Sequence, residues 1–145
     1  MTNAPAGSAT LELIPLCRVD LELGPAVVVG DGPSGTRMVV ELLAMTLTGD
    51  RLDGTLRGPS AADWLTVVGT VATIDVRATI ETGDGALVLV QYRGRSDVTN
   101  GMGTAPIYVA PVFETGDPRY CWLNSIQAVG RGLLSDLRYE WYEVR

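Results

Sequence analysis

The stretch from Val71 to Val90 constrains the fold more strongly than any other part of the chain. Between Val71 and Glu81, apolar and polar side chains alternate, as in a β-strand with one buried and one exposed face. The Asp84-Gly85 pair that follows favours a tight hairpin turn, and Ala86–Val90 returns as a nearly all-apolar strand. Because a lone hairpin is only marginally stable in water, the pattern predicts further strands against its apolar face.

Further strands are predicted on both sides of this hairpin, each bounded by residues typical of turns. They are Thr10–Leu23 with a break at Pro15, Ala26–Val29, Thr36–Thr48, Arg51–Leu56, Leu65–Val68, Ala105–Phe113, Trp122–Val129 and Leu137–Val144. Gly24-Pro25 and Gly130-Arg131-Gly132 are predicted as turns. The segment Gly94–Gly103 is predicted as the longest loop, either a binding rim or a plain mobile connection.

This succession of short strands, without strand–helix alternation, predicts an all-β fold. We expect a single antiparallel β-barrel, closed in the manner of lipocalins and other calycins, with about 8–10 strands and at most one or two short helical turns. Residues 1–9 carry no strand pattern and are expected to form a disordered N-terminal tail. Residues 10–145 then form one barrel domain.

The absence of two residue types restricts the chemistry. The chain contains no histidine, and all 11 of its basic residues are arginine, so lysine is absent too. Ser-His-Asp triads, Cys-His pairs, histidine-bound zinc and lysine Schiff bases are therefore excluded. No metal site and no cofactor are predicted. Proton transfer must use Asp, Glu, Tyr or Cys, and arginine is the one cation for holding an anionic group.

Charge and hydropathy indicate the partners and the compartment. The net charge is −6 and the arginines are scattered, so neither nucleic acid nor an anionic membrane surface is expected as a partner. No apolar run reaches the roughly 18 residues of a membrane helix. The first residues lack the features of a signal peptide, and a cytoplasmic location is expected. The two cysteines, Cys17 and Cys121, are expected to remain reduced.

Several motifs together resemble the family called domain of unknown function 3237 (DUF3237). The most specific is Phe113–Asn124, and Gly49–Gly54, Glu81–Leu87 and Tyr142-Glu143-Val144 also fit. The resemblance extends from Leu11 to Val144. It implies a small bacterial β-barrel that is cytoplasmic, is found beside catabolic or specialised-metabolite enzymes and has no general assigned activity.

The first candidate catalytic residues are Asp75, Arg77 and Arg37. Asp75 and Arg77 lie two apart on one strand, so their side chains share a face. If that face lines the barrel, they are a candidate base and an anion clamp; if it faces solvent, they are a surface ion pair. Arg37 begins a strand after a glycine-rich loop, and it is either a binder of an oxyanion or a surface arginine.

The remaining candidates pair polar groups with aromatic rings. Asp63 is a candidate general base with Trp64 as a stacking wall, or else a cap beside a core tryptophan. Candidate substrate contacts further along the chain are Trp122, Asn124, Tyr92, Tyr108 and Tyr142. Tyr139 belongs to the same set of barrel aromatics.

The sequence is compatible with two functions. The first is a cofactor-independent isomerase, cyclase or lyase acting on a small organic molecule, in which Asp63 or Asp75 moves a proton and Arg37 or Arg77 holds the developing oxyanion. The second is a non-catalytic barrel that binds a hydrophobic ligand or serves as a scaffold. A carboxylate facing the cavity would favour the enzyme. Sheet edges left by incomplete closure also predict a homodimer.

Overall fold

The protein is described by a computed structural model that covers residues 7–145. Its strands are β1 (Leu13–Gly32), β2 (Gly35–Thr48), β3 (Gly54–Leu56), β4 (Ala62–Val68), β5 (Val71–Thr82), β6 (Leu87–Asp97), β7 (Ile107–Val109), β8 (Val112–Glu114), β9 (Ala128–Leu133) and β10 (Arg138–Val144). Two 3-10 helices, η1 (Cys121–Ser125) and η2 (Leu134–Asp136), complete the secondary structure. Of the predicted tail, residues 1–6 lie outside the described residues.

The strands form the expected antiparallel barrel. Ladders join β1, β2, β4, β5, β6, β7, β9 and β10 in a circuit that returns to β1. The short strand β3 pairs with β2 and β5, and β8 pairs with β6. The circuit is closed only through the three-residue strand β7. Beyond β7 the wall is open between β8 and β9, because within residues 7–145 no ladder joins these two strands and η1 lies beside β8 instead. The all-β fold class is confirmed.

The predicted alternation in β5 sets the inside and the outside of the barrel. Ala72, Ile74, Val76, Ala78 and Ile80 are all buried, and the polar residues between them lie on the outer face. Each strand contributes such an inner face, and the interior is packed with side chains rather than hollow.

The centre of this core is a group of aromatic rings. The Tyr92 ring lies 5.3 Å from that of Trp141 and 5.8 Å from that of Tyr139, and Phe113 lies 6.0 Å from Trp141, all edge to face. This arrangement places the positive ring edges against the negative ring faces.

The predicted turn at Gly24-Pro25 was wrong, because β1 continues through it. The ladder with β2 shifts register between Leu23 and Ala26, so the Gly-Pro pair is absorbed as a bulge within one long strand. A proline is tolerated there because bulges and strand edges leave a backbone position free of the ladder.

The predicted turn at Gly130-Arg131-Gly132 and the strand Trp122–Val129 were also wrong. Both glycines lie inside β9, where Gly130 is paired with Trp141 and Gly132 with Tyr139. A Cβ at Gly130 would approach the Trp141 ring to 2.4 Å, and one at Gly132 would approach the Tyr139 ring to 2.5 Å. The glycines therefore make room for two core rings, and the chain before β9 forms η1 instead of a strand.

Candidate functional site

A carboxylate lies in an apolar cavity at the end of the barrel where β9 turns into β10. The cavity encloses about 50 Å³. Apart from Asp63 and Arg138, its walls are aliphatic or aromatic: Leu21, Leu23, Leu42, Ile74, Val76, Tyr92, Ile107, Leu133, Leu134, Leu137 and Tyr139. In the described part of the chain, Asp63 is the one acidic residue that lines this cavity.

Strand register directs Asp63 and Tyr92 to the same interior level. Asp63 of β4 is paired with Val76 of β5, and Val76 is paired in turn with Tyr92 of β6. Residues directly opposite each other across antiparallel strands point to the same face. Since Val76 is buried in the core, Asp63 and Tyr92 also point inward.

The Asp63 carboxylate is held by a backbone group of the neighbouring strand. Its Oδ1 accepts a hydrogen bond from the N–H of Asp75 at 3.0 Å. The β4–β5 ladder pairs Asp63 with Val76 and resumes only at Thr66 with Thr73, so the side chain uses a donor from the interrupted part of the ladder. This bond orients the carboxylate, and no hydrogen bond from residues 7–145 engages its second oxygen, which can therefore meet a ligand.

Burial makes Asp63 a weaker acid than an exposed aspartic acid. Desolvation in the apolar cavity raises its pKa to about 6, the hydrogen bond from the Asp75 N–H opposes that rise, and the nearby Asp75 charge adds to it. A carboxyl group with a pKa near the working pH can both accept and return a proton.

Two tyrosines share the cavity with Asp63. Tyr92 and Tyr139 both have raised pKa values, mainly because they are buried, and the negative charge of Asp63 raises both further. Their phenol groups therefore stay protonated at neutral pH and can donate hydrogen bonds. The site combines a proton-accepting carboxylate with two neutral donors inside an apolar wall.

A short turn forms a part of the cavity wall that reaches the surface, where Leu133 is 36% exposed, and we call this part the mouth of the cavity. Leu133, Leu134 and Leu137 line the cavity from η2 and its flanks. Leu137 has φ 49°, the left-handed region that non-glycine residues rarely adopt. Beside it, Arg138 donates from Nε to Asp20 Oδ1 at 2.8 Å. The turn therefore has a strained backbone at Leu137, and the hydrogen bond from Arg138 to Asp20 connects it to β1.

Three of the four predicted catalytic residues do not reach this cavity. Asp75 and Arg77 alternate with buried Val76 and lie on the outer face of β5, so neither is the lumen base or anion clamp considered above. Arg37 lies on the outer face of β2 and donates from Nη1 to the backbone carbonyl of Trp64 at 2.7 Å. The predicted stacking wall, Trp64, is 40% exposed on the outside. Asp63 alone lies in the cavity.

Trp122 and Asn124 lie at the other end of the barrel. The Arg51 guanidinium stacks over the Trp122 ring at 4.8 Å, and its Nη2 donates to the buried Glu143 at 2.6 Å. Asn124 Oδ1 accepts from the Thr115 N–H at 2.8 Å, and its Nδ2 donates to the Thr115 carbonyl at 3.0 Å. Both residues hold η1 in place and neither lines the Asp63 cavity, so they are not positioned as the substrate contacts that the sequence predicted.

The end of the barrel that contains η1 also explains the Phe113–Asn124 motif, the most specific of the family motifs. Thr115 Oγ1 donates to the Leu87 carbonyl at 2.7 Å, and the Tyr120 hydroxyl donates to Asp84 at 2.9 Å. Arg119 donates to the Asp84 carbonyl at 3.0 Å. These bonds lock the segment onto the β5–β6 turn, so the motif stabilises the fold and contributes nothing to the Asp63 cavity.

Of the predicted tyrosines, only Tyr92 lies beside Asp63. Tyr108 and Tyr142 line an outer groove of about 720 Å³ that also contains Arg93, Arg95 and Arg131. Tyr139, which the sequence identified only as one of the barrel aromatics, lines the cavity. Its alternation with Trp141 along β10 indicated an inward side chain, but nothing in the sequence connected that strand with Asp63.

The described residues contain neither a membrane-spanning helix nor a metal-binding cluster. No helix within residues 7–145 is long and apolar enough to cross a bilayer. No cluster of three or more cysteine or acidic residues in that range has a geometry that would hold a metal ion.

Comparisons with known proteins agree with this fold. The chain is 30% identical over 115 residues to the hydroalkoxylation enzyme phnH of Penicillium herquei, a match that covers 79% of this chain and 70% of that protein. A β-barrel-like protein from Acinetobacter baumannii is 26% identical, with a TM-score of 0.84 over 97% of this chain and 99% of its own.

A solved enzyme structure from Penicillium herquei has the same fold, with 24% identity and a TM-score of 0.76 over 99% of this chain and 100% of its own. The family model described as protein of unknown function (DUF3237) matches residues 11–144. The chain therefore belongs to the DUF3237 family of β-barrel proteins.

Proposed function

We propose that this protein is an enzyme that acts on a small organic molecule and adds the O–H of a substrate hydroxyl group across a carbon–carbon double bond, with Asp63 as its proton-transfer group. The observation that carries the proposal is a carboxylate of raised pKa, about 6, directed into an apolar cavity that also contains two tyrosine side chains. Burying a carboxylate costs free energy, and a cavity carboxylate is the feature expected of an enzyme rather than of a passive binding barrel.

The proposed reaction is an isomerisation with no net oxidation. The Asp63 carboxylate takes the proton of a substrate hydroxyl, and that oxygen forms a C–O bond to one carbon of an activated double bond. The π electrons move to the other carbon and onto a conjugated oxygen, where the phenol groups of Tyr92 and Tyr139 stabilise the developing charge. The protonated Asp63 then returns its proton to carbon, so all atoms are conserved.

The relative from Penicillium herquei supports this choice of reaction. It is named a hydroalkoxylation enzyme, and hydroalkoxylation is the addition of an alcohol or phenol O–H across an alkene. A residue that accepts one proton and donates it again is sufficient for such chemistry.

The size of the cavity sets a condition on substrate entry. About 50 Å³ is less than the roughly 300–1,000 Å³ typical of organic ligand sites. A substrate must therefore displace side chains at the mouth, and Leu133, Leu134 and Leu137 are the residues in its way. Their closure over a bound substrate would exclude water from the charged intermediate.

The test uses Asp63→Asn and a matched control, Asp75→Asn. Each removes one carboxylate. The amide introduced by Asp63→Asn keeps an oxygen that can accept the Asp75 N–H, and Asp75→Asn leaves that N–H in place. The assay supplies hydroxyl-bearing alkenes whose double bond is conjugated to a carbonyl, and follows cyclic products of unchanged mass. In D₂O the product should gain one deuterium on carbon.

Asp63→Asn should lower kcat by about 10²–10⁴-fold, whereas Asp75→Asn should retain turnover. Tyr92→Phe and Tyr139→Phe should each lower kcat by about 10–100-fold, as expected for the loss of one oxyanion donor. Wild-type turnover in Asp63→Asn would refute the assignment.

The alternative function is a non-catalytic barrel for a hydrophobic ligand, which the aliphatic walls of the cavity favour. In that case a ligand would bind equally well or more tightly to Asp63→Asn, because the buried charge is gone. Tight binding without any turnover in the wild-type protein would support this alternative.

A further inference from the structure

One edge of β1 has no neighbouring strand. β10 pairs with β1 only from Leu13 to Asp20, and the last backbone contact on that side is the Leu21 N–H with the Leu137 carbonyl. From there to Gly32, β1 pairs on its other side with β2 alone. Within residues 7–145 nothing covers this edge, which we call the free edge, Glu22–Gly32.

The centre of the free edge is apolar and exposed. Val27, Val28 and Val29 are 63%, 63% and 69% exposed, although they alternate between the two faces of the strand. Long apolar edges of this kind pair readily with other strands, and proteins usually blunt them or cover them. Pro25 and the register shifts at Leu23/Ala26 and Val28/Gly30 interrupt the two ends of this edge, but Ala26–Val28 between them is in regular register and carries neither a charge nor a proline.

We propose that a second copy of this chain covers the free edge by antiparallel strand pairing, giving a two-fold symmetric dimer. The two β1 strands would join the β2–β1 sheets of both copies into one continuous sheet. This proposal rests on the strand edge and its side chains, and it does not depend on the proposed reaction.

A second copy fits this edge because antiparallel pairing about a two-fold axis is self-complementary. In such a pair one residue lies opposite itself. With the axis at Val27, Val28 lies opposite Ala26; with the axis at Val28, Val27 lies opposite Val29. No residue from Gly24 to Gly30 is charged. No like charges are then brought together across the strands, which would otherwise oppose pairing.

The interface would adjoin one wall of the Asp63 cavity. Leu23, near one end of the free edge, lines the cavity together with Leu21 of the same strand and Leu42 of β2. The free edge therefore begins at one wall of the cavity, and a second copy would bring apolar surface beside it.

Sedimentation equilibrium of the full chain tests the proposal, with Val28→Glu and a control, Leu87→Glu. Leu87 is also an exposed strand residue, 52% accessible, but it is remote from β1. We expect wild type and Leu87→Glu to be dimers and Val28→Glu to dissociate on the order of 100-fold more readily, since a charge would be buried at the centre of the interface. Unchanged thermal unfolding of a dilute Val28→Glu sample, matched to dilute wild type, would show that the variant is folded.

Four single substitutions in a Cys121→Ser background locate the axis: Ala26→Cys, Val27→Cys, Val28→Cys and Val29→Cys. The residue opposite itself has a Cα separation of about 4.5–5.5 Å, within the range for a disulfide, and one of the four variants should cross-link on oxidation. A monomeric wild type, a dimer insensitive to Val28→Glu, or the absence of any cross-link would overturn the proposal. Protection of the valine amides from hydrogen exchange in a monomer would also overturn it, since the chain itself would then cover the edge.

Discussion

The carboxylate of Asp63 accepts a hydrogen bond from the backbone N–H of Asp75, 3.0 Å away on the next strand. Of these two acidic residues, one therefore points into the barrel, and the other contributes its backbone to hold the first. The arrangement fixes the position of a group that burial destabilises, as expected where a carboxylate is retained for its chemistry.

Asp63 should make the protein less stable as the pH rises. Its folded-state pKa of about 6 lies above the ordinary value of 3.8, so between about pH 4 and pH 6 the folded protein holds a proton that the unfolded chain releases. That contribution to stability is complete below pH 4 and lost above pH 6. Asp63→Asn should thus gain up to about 3 kcal/mol over wild type at pH 7.5 and little at pH 4.

Urea unfolding at the two pH values measures this difference directly, because the other titrating groups are common to both proteins. An equal difference at pH 4 and pH 7.5 would mean that Asp63 titrates normally in the folded protein.

The proposed reaction should depend on the same ionisation. If Asp63 begins as the base, kcat/KM should rise about tenfold per pH unit below pH 6 and level off above it. Because the Asp75 charge contributes to the raised pKa of Asp63, Asp75→Asn should move the midpoint to lower pH without reducing the plateau. A rate that instead falls above pH 6 would assign Asp63 as the initial acid.

Asn124→Ala should destabilise the fold without affecting the cavity. It removes both side-chain hydrogen bonds to Thr115 and leaves the Thr115 groups part-buried without partners, at a cost of about 1–3 kcal/mol. Ser125→Ala is the control, since the exposed Ser125 makes one longer bond of 3.3 Å and should change stability by less than about 0.5 kcal/mol. A loss of ligand affinity with unchanged stability would restore Asn124 as a ligand contact.

Gly130→Ala should be strongly destabilising because its Cβ would lie 2.4 Å from the Trp141 ring. Trp141 is buried and cannot move aside cheaply, and overpacking of this kind costs about 1–3 kcal/mol or more. Gly116→Ala is the matched control, since a Cβ there meets nothing within 4 Å. Thermal unfolding should separate the two variants clearly, and equal stabilities would show that β9 can shift to admit the methyl group.

The sequence predicted the fold class well because alternation is a local property. The pattern Val71–Glu81 became β5 with its apolar side chains inside, and the motif around Phe113–Asn124 identified the family over nearly the whole chain. Turn prediction was less reliable. Gly24-Pro25 was absorbed as a bulge, and Gly130 and Gly132 serve ring packing, because each depends on a partner strand distant in sequence.

Of the candidate site, the sequence by itself determined the available chemistry: without histidine or lysine, proton transfer is restricted to Asp, Glu, Tyr and Cys side chains. Only the tertiary structure decided which of them meet. A period of two defines two faces of a strand but does not say which face is inside, and closure of the barrel directs Asp63, Tyr92 and Tyr139 inward and Asp75, Arg77 and Trp64 outward. Cross-strand register, which no local pattern contains, brings three residues from three separate strands into one cavity.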